Sequence, residues 1–225
     1  IIEDELDKMR DLGVTFQTDT IVGKTITYED LKAQGMDGIF IATGVGVANY
    51  MGIPGEDLKG VYTASEYLAK YNLMSPEELA EALPSLRGKR VAVIGGGNTA
   101  IDAVRTAIRL DAKQATIVYR RSEEEMPARA EEIKHAREEG TEFFNLHNPV
   151  EYLGDESGHV TAMRLERMEL GAPDESGRRR PVATGEIITV PVDEVIICIG
   201  YSASTLVTKS MPELEVNKWG NIVVD

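Results

Sequence analysis

The stretch Arg90-Val91-Ala92-Val93-Ile94-Gly95-Gly96-Gly97-Asn98-Thr99-Ala100-Ile101-Asp102-Ala103-Val104 decides the fold. Its first five residues, apolar after Arg90, read as a strand. The three glycines read as a turn. From Asn98 the apolar positions Ala100, Ile101, Val104, Ala107 and Ile108 share one helical face, while Asp102, Arg105 and Arg109 share the other. A second strand is expected over 115–119, which completes a βαβ unit of about 30 residues. In Gly95-x-Gly97-x-x-Ala100, Gly95 permits the tight turn, Gly97 lets a pyrophosphate approach the backbone, and Ala100 lets the helix pack on the strand. The free amides around Asn98 and Thr99 would hold phosphate oxygens, helped by the helix dipole. Gly95, Gly96, Gly97, Asn98, Thr99 and Ala100 are therefore candidate dinucleotide contacts.

The end of the second strand selects between nucleotides. An NAD site usually carries Asp or Glu about 20 residues on, bonded to the ribose 2′-hydroxyl. Here Arg120 stands 20 residues after Ala100, with Arg121 beside it. Two guanidiniums suit a 2′-phosphate, which they bond in a fork and neutralise. NADP(H) is expected over NAD(H). The acids of Ser122-Glu123-Glu124-Glu125-Met126-Pro127 either hold the two arginines when no nucleotide is bound or form a solvated loop.

Outward from this unit, the spacing predicts a helix over 129–139 ending at Gly140, and a strand over 142–146. After Pro149 the texture changes. Segments 150–153, 160–168 and 186–190 read as antiparallel strands, the last two joined by a polar loop containing Asp174 to Arg180. Residues 194–200 read as another buried parallel strand. Toward the other end, Ile2, Leu6 and Met9 mark a helix closing at Gly13, followed by a strand over 14–17. One helical turn is expected over 28–32 and a buried parallel strand over 38–44. A turn at 53–57 precedes helices over 64–71 and 76–83, the latter with Ser75 as N-cap and Pro76 at its first position. A domain junction is placed at 84–89.

Composition bounds the rest. The chain has 225 residues, 42% hydrophobic and 28% charged, with a net charge of −14. That is globular composition, and the charge works against nonspecific binding to nucleic acid or an anionic membrane. No apolar run approaches a membrane span. No signal peptide is read, so a reducing cytoplasm is the expected location. The single cysteine, Cys198, excludes an intrachain disulfide and a chain-borne iron–sulfur cluster, and among Ile197 and Ile199 it reads as a buried structural thiol. His135, His147 and His159 lack ligand spacing, so no metal site is expected. The serines lack a nucleophile-elbow context. Arg178 to Arg180 read as a solvated basic turn, Asp102 as a surface carboxylate, and Trp219 as packing near the last strand.

Residues 91–102, then Val118-Tyr119-Arg120-Arg121-Ser122-Glu123-Glu124-Glu125-Met126-Pro127-Ala128-Arg129, together resemble the small (beta) subunits of NADPH-dependent glutamate synthases, within the FAD/NAD(P)-linked pyridine nucleotide-disulfide-type oxidoreductases. The resemblance continues through Met168-Glu169-Leu170, residues 174–181 and Trp219-Gly220, so it covers most of the chain. The wider family includes the flavin subunits of ferredoxin–NADP reductases and the flavin half of dihydropyrimidine dehydrogenase. The resemblance implies an FAD domain interrupted by an NADP(H) domain. Hydride would pass from nicotinamide to FAD, and electrons would leave through iron–sulfur clusters outside this chain. The partner it implies is a large (alpha) glutamate synthase subunit or another electron acceptor. Thr43 and Gly44 resemble the family's first crossing between domains, and Ile199 and Gly200 the return crossing.

The expected fold is α/β: a Rossmann-like NAD(P)-binding domain with an antiparallel β-insertion, plus an incomplete FAD-type α/β domain. Residues 1–87 would form the partial FAD-type domain and linker, 88–200 the NADP(H) domain, and 201–225 the return segment. The family's FAD-binding glycine motif and its late Gly-Asp motif are expected outside 1–225, so weak or no FAD binding is expected of this piece alone. Asp111 stands where the family often has Gly. No catalytic side chain is assigned, because hydride transfer between stacked rings needs orientation rather than acid–base help. The rival readings are a different electron acceptor, a non-catalytic NADP(H)-sensing module, and a methyltransferase, the last opposed by Arg120 where its acidic ribose reader would stand.

Overall fold

A computed structural model describes residues 2–75, 77–79, 85–175 and 177–224. The chain divides into two compact units, residues 1–47 with 201–225, and residues 48–200.

The larger unit is built on a five-stranded parallel sheet in the order β2-β9-β3-β4-β5. Its strands are β2 (Val61–Thr63), β3 (Arg90–Ile94), β4 (Gln114–Tyr119), β5 (Glu142–Asn145) and β9 (Glu194–Ile197). Val91 to Ile94 and Glu194 to Ile197 are buried throughout, as expected of strands covered on both faces. Helix α4 (Asn98–Arg109) covers one face with Ala100, Ile101, Ala103, Val104, Thr106 and Ala107, while Asp102 and Arg109 stay exposed. Alanines at three of these positions bring the helix backbone close to the sheet, and a fully buried Ile101 contributes roughly 2 kcal/mol. Helix α3 (Ala64–Leu73) adds buried Ala64 and Tyr67 to the same core, and α5 (Ala130–Glu138) adds Ile133 and Ala136. Gly140 closes α5 with a φ of 95°.

The opposite face is covered by a three-stranded antiparallel sheet, β6 (His147–Gly154), β7 (Val160–Pro173) and β8 (Arg179–Pro191). Tyr152, Val160, Met163 and Leu165 pack against Ala92, Ile94, Val195 and Ile197. The β7–β8 strands are longer than the sequence suggests, and Arg179 and Arg180 belong to β8 rather than to the loop. The junction expected near residue 87 falls inside this unit: β2 pairs with β9, and Tyr67 is 2% exposed in the core that holds Ile101. The chain changes unit at 47/48 instead.

The smaller unit holds α1 (Ile2–Asp11), α2 (Tyr28–Ala33), α6 (Thr205–Ser210) and a two-stranded sheet of β1 (Val45–Ala48) and β10 (Tyr201–Ala203). Helix α2 starts with a capping box in which Thr27 and Asp30 satisfy each other's backbone amides. Three expectations fail here. Residues 14–17 and 38–44 form no strand; neither run meets a pairing neighbour among the described residues, and Phe40 stays 94% exposed. Trp219 is 69% exposed rather than packed away, and Lys218 lies over its ring, 4.3 Å from the centroid. The helix expected over 76–83 lies largely outside the described residues, although Ser75 and Glu78 exchange the hydrogen bonds of a helix start. No helix of the described residues is long and apolar enough to cross a membrane.

Candidate functional site

The carboxyl ends of β3, β4 and β9 meet where the strand order reverses, with β4 and β5 on one side of β3 and β9 and β2 on the other. Crevices at such a reversal are where open α/β sheets bind ligands. Gly95 sits there with φ 139°, and a Cβ on it would lie 2.3 Å from the Cys198 carbonyl oxygen. Its amide donates to Val118 O at 3.0 Å, and the Cys198 amide donates to Ile94 O at 2.8 Å. The turn is thus pinned between β4 and the end of β9. A Cβ on Gly96 would lie 2.8 Å from the Tyr119 ring. The Tyr119 hydroxyl donates to Glu125 O at 2.9 Å, which holds that ring against the turn.

Gly97 is the N-cap of α4 and has no side chain to cap it. The first intrahelical donors, Ala100 and Ile101, both bond Gly97 O, so the amides of Asn98 and Thr99 precede the helical ladder. A Cβ on Gly97 would meet nothing within 4 Å. The sequence places a glycine where this fold alone does not require one. That open space over free amides at a helix N-terminus is the cradle a phosphate fits.

Arg120 and Arg121 follow β4 directly. Arg120 is exposed and makes no ion pair among the described residues. Arg121 is only 7% exposed, and its Nε is buried without a hydrogen-bond partner. A buried guanidinium N–H without an acceptor is costly, so an anionic acceptor fits there. The neighbouring acids do not hold these arginines. Glu125 accepts from the Ser122 amide and hydroxyl at 3.3 and 3.1 Å, and Glu123 pairs with Arg137. Residues 85–175 and 177–200 thus bring together Gly95 to Ala100, Arg120, Arg121, Ile199 and Gly200 at one edge of the sheet. Ile199 is 38% exposed just past β9, and Gly200 accepts from the Asn49 amide at 3.1 Å. Thr43 and Gly44 belong to the other unit, where they line a cavity of about 200 Å³ with Ser204 and Asn221.

Cys198 is partly buried just beyond β9, not within it, and desolvation pushes its thiol well above the ordinary range, against a reactive thiolate. Among the described residues no cluster of His, Cys, Asp and Glu is arranged to hold a metal ion.

One neighbour of the turn was missed in the sequence. The Asn98 side-chain oxygen accepts from the Arg129 backbone amide at 2.9 Å, and the Ala128 amide donates to Gly96 O at 3.1 Å. The loop before α5 is therefore stitched to the glycine turn. The quoted Met126-Pro127-Ala128-Arg129 run is its only sequence signal.

A family model described as pyridine nucleotide-disulphide oxidoreductase matches residues 5–225. The beta subunit of NADP(+)-dependent formate dehydrogenase from Moorella thermoacetica is 40% identical, over 100% of this chain and 31% of that protein. The NADPH-Fe(3+) oxidoreductase subunit beta of Geobacter sulfurreducens is 38% identical, over 99% of this chain and 32% of that protein. The small chain of NADPH glutamate synthase from Escherichia coli (strain K12) is 37% identical, over 94% of this chain and 46% of that protein. The chain therefore spans from just under a third to just under a half of these curated relatives. Among solved structures, Mycobacterium tuberculosis FprA in complex with NADPH matches with a TM-score of 0.75 at 20% identity, over 96% of this chain and 60% of that one. At that identity the likeness is one of fold.

Proposed function

The chain belongs to the pyridine nucleotide-disulphide oxidoreductase family, and from that membership we propose that it carries the NADP(H) site of a flavin oxidoreductase of the glutamate synthase small-subunit kind. One observation carries the reading: an open glycine cradle with free helix-start amides lies beside two guanidiniums that no carboxylate of the described residues neutralises.

In this reading the amides of Asn98 and Thr99 hold the pyrophosphate, and Gly97 lets it approach the backbone. Arg120 reads the 2′-phosphate from the solvent side, with Arg121 supplying its buried Nε–H. Ile199 and Gly200 border the position of the nicotinamide, and Thr43 and Gly44 belong to the flavin side. Bound NADPH supplies a hydride for a flavin, and the protein's contribution is orientation and exclusion of water. For FAD, the described residues contain no second glycine cradle of the Gly95–Gly97 kind. FAD, iron–sulfur clusters and the large subunit or other acceptor belong to the whole protein in this proposal. The relatives named above differ in what their names say they serve, yet match at 37–40% alike. The final acceptor is set outside the nucleotide site.

Calorimetric titration of the chain with NADP(H) and NAD(H) tests the reading. NADP(H) is expected to bind more tightly. Replacing Arg120→Ala together with Arg121→Ala is expected to weaken NADP(H) by roughly ten- to a hundredfold, the equivalent of about 1.5–3 kcal/mol, and to leave NAD(H) unchanged. Equal binding of the two nucleotides by the unaltered chain would sink the arginine assignment. NADP(H) binding by the whole protein without flavin reduction would favour the sensing reading.

A further inference from the structure

We propose that Arg129 is a third nucleotide-binding arginine, and that it serves the pyrophosphate rather than the 2′-phosphate. The inference rests on the NADP(H) reading of the glycine turn and adds a residue to it. The Arg129 amide is bonded to the side chain of Asn98, the first residue of α4, at 2.9 Å. Ala128, one residue earlier, is bonded to Gly96. The Arg129 backbone is thereby fixed beside the same helix start whose amides are free.

Its electrostatic setting is unusual. Arg129 is the N-cap of α5, so it adds a positive charge at the positive end of a helix dipole. Three of the five carboxylates within seven residues of it in the sequence are committed elsewhere. Glu132 pairs with Arg105 at 2.7 Å, Glu123 with Arg137, and Glu125 with Ser122. Among the described residues neither Glu124 nor Glu131 makes an ion pair with Arg129. Arg105, Arg109 and Arg137 of the surrounding helices all have carboxylate partners, whereas the exposed Arg129 side chain has none among the described residues. Two helix N-termini, α4 and α5, thus meet through the Asn98–Arg129 bond, with an unneutralised guanidinium at the junction. An anion lying over the free amides of α4 would give that guanidinium a partner. Arg120 and Arg121 are placed by a different element, the end of β4, which leaves the pyrophosphate to Arg129.

The two phosphates of the nucleotide separate under different probes. Adenosine 2′-phosphate carries the 2′-phosphate without the pyrophosphate, and ADP-ribose carries the pyrophosphate without the 2′-phosphate. Titration of the chain and its Arg129→Gln variant with both, and with NADP(H), gives the test. Arg129→Gln is expected to weaken ADP-ribose and NADP(H) about tenfold, to leave adenosine 2′-phosphate unchanged, and to be largely rescued by Arg129→Lys. The Arg120→Ala, Arg121→Ala variant is expected to show the reverse pattern. The exposed side chain makes no hydrogen bond or ion pair among the described residues, so the variant's melting temperature should match the parent's. Unchanged ADP-ribose binding in the variant would overturn the proposal and leave the nucleotide site standing. Loss confined to adenosine 2′-phosphate would group Arg129 with Arg120 and also overturn it. No binding of any of the three ligands to the unaltered chain would overturn the NADP(H) reading itself, and this inference with it.

Discussion

The three glycines of the turn answer to different demands, and substitution separates them. A methyl group on Gly95 meets the Cys198 carbonyl at 2.3 Å from a backbone with φ 139°. Gly95→Ala is expected to destabilise the larger unit by about 3 kcal/mol in urea unfolding. A methyl group on Gly97 meets open space from an ordinary φ of −88°. Gly97→Ala is expected to leave stability within about 0.5 kcal/mol while weakening NADP(H) at least roughly tenfold, because only the ligand is crowded. Both glycines and Arg120 were legible in the sequence, since their spacing reports directly on strand, turn and helix. The burial of Arg121 was not, because burial depends on tertiary packing that local spacing does not report. Arg129 escaped for a similar reason: its bond to Asn98 spans 31 residues and exists only once the loop has folded back.

At the scale of elements, the amino ends of the central strands are tied by charge. Arg90, at the start of β3, bonds Asp193 just before β9 through Nε at 2.9 Å and Nη2 at 2.7 Å. The guanidinium holds the Asp193 carboxyl down to about 2. A carboxyl depressed in the folded state stabilises above its unfolded value, near 4, and loses that contribution as pH falls through about 2. Asp193→Asn is therefore expected to lower stability by about 1 kcal/mol at pH 7, with the difference from the parent vanishing on acidification. Next to it, Glu194 is 1% exposed, pairs with Lys89, and has His159 Nε2 at 3.7 Å. Burial raises its carboxyl pKa. Lys89→Met should cost about 3 kcal/mol at pH 8, by stranding a buried charge, and progressively less as the pH is lowered, because burial favours the protonated carboxyl. Urea midpoints across pH check both. The strands and helices of the βαβ unit were legible because their periodicity is local. Residues 14–17 and 38–44 carry the same apolar signature and form no strand, since a ladder needs a neighbour that periodicity does not supply.

On the scale of the whole molecule, the two units differ in what they bury. Helices α1 and α2 contain no buried residue, whereas β3 and β9 are buried almost throughout. Amides of residues 2–47 and 201–224 are expected to exchange with solvent well before those of β3, β4 and β9, read by mass spectrometry. The antiparallel insertion was visible in the sequence as a change of texture after Pro149. The true unit boundary at 47/48 was not, because the pairing of β2 with β9 joins residues more than a hundred apart. The Asn49 amide bonded to Gly200 O closes the larger unit on itself at the two points where the chain enters and leaves it. That closure has a kinetic consequence. Pairing β1 with β10 directly from the unfolded chain would require closing a loop of some 150 residues, an entropic cost of roughly 4 kcal/mol. Once the intervening unit has folded, its own ends are already side by side, and the same pairing closes a gap of only a few residues. The smaller unit is thus expected to assemble second, waiting on its guest, and a refolding experiment should show β1 and β10 gaining protection only after the central sheet has done so.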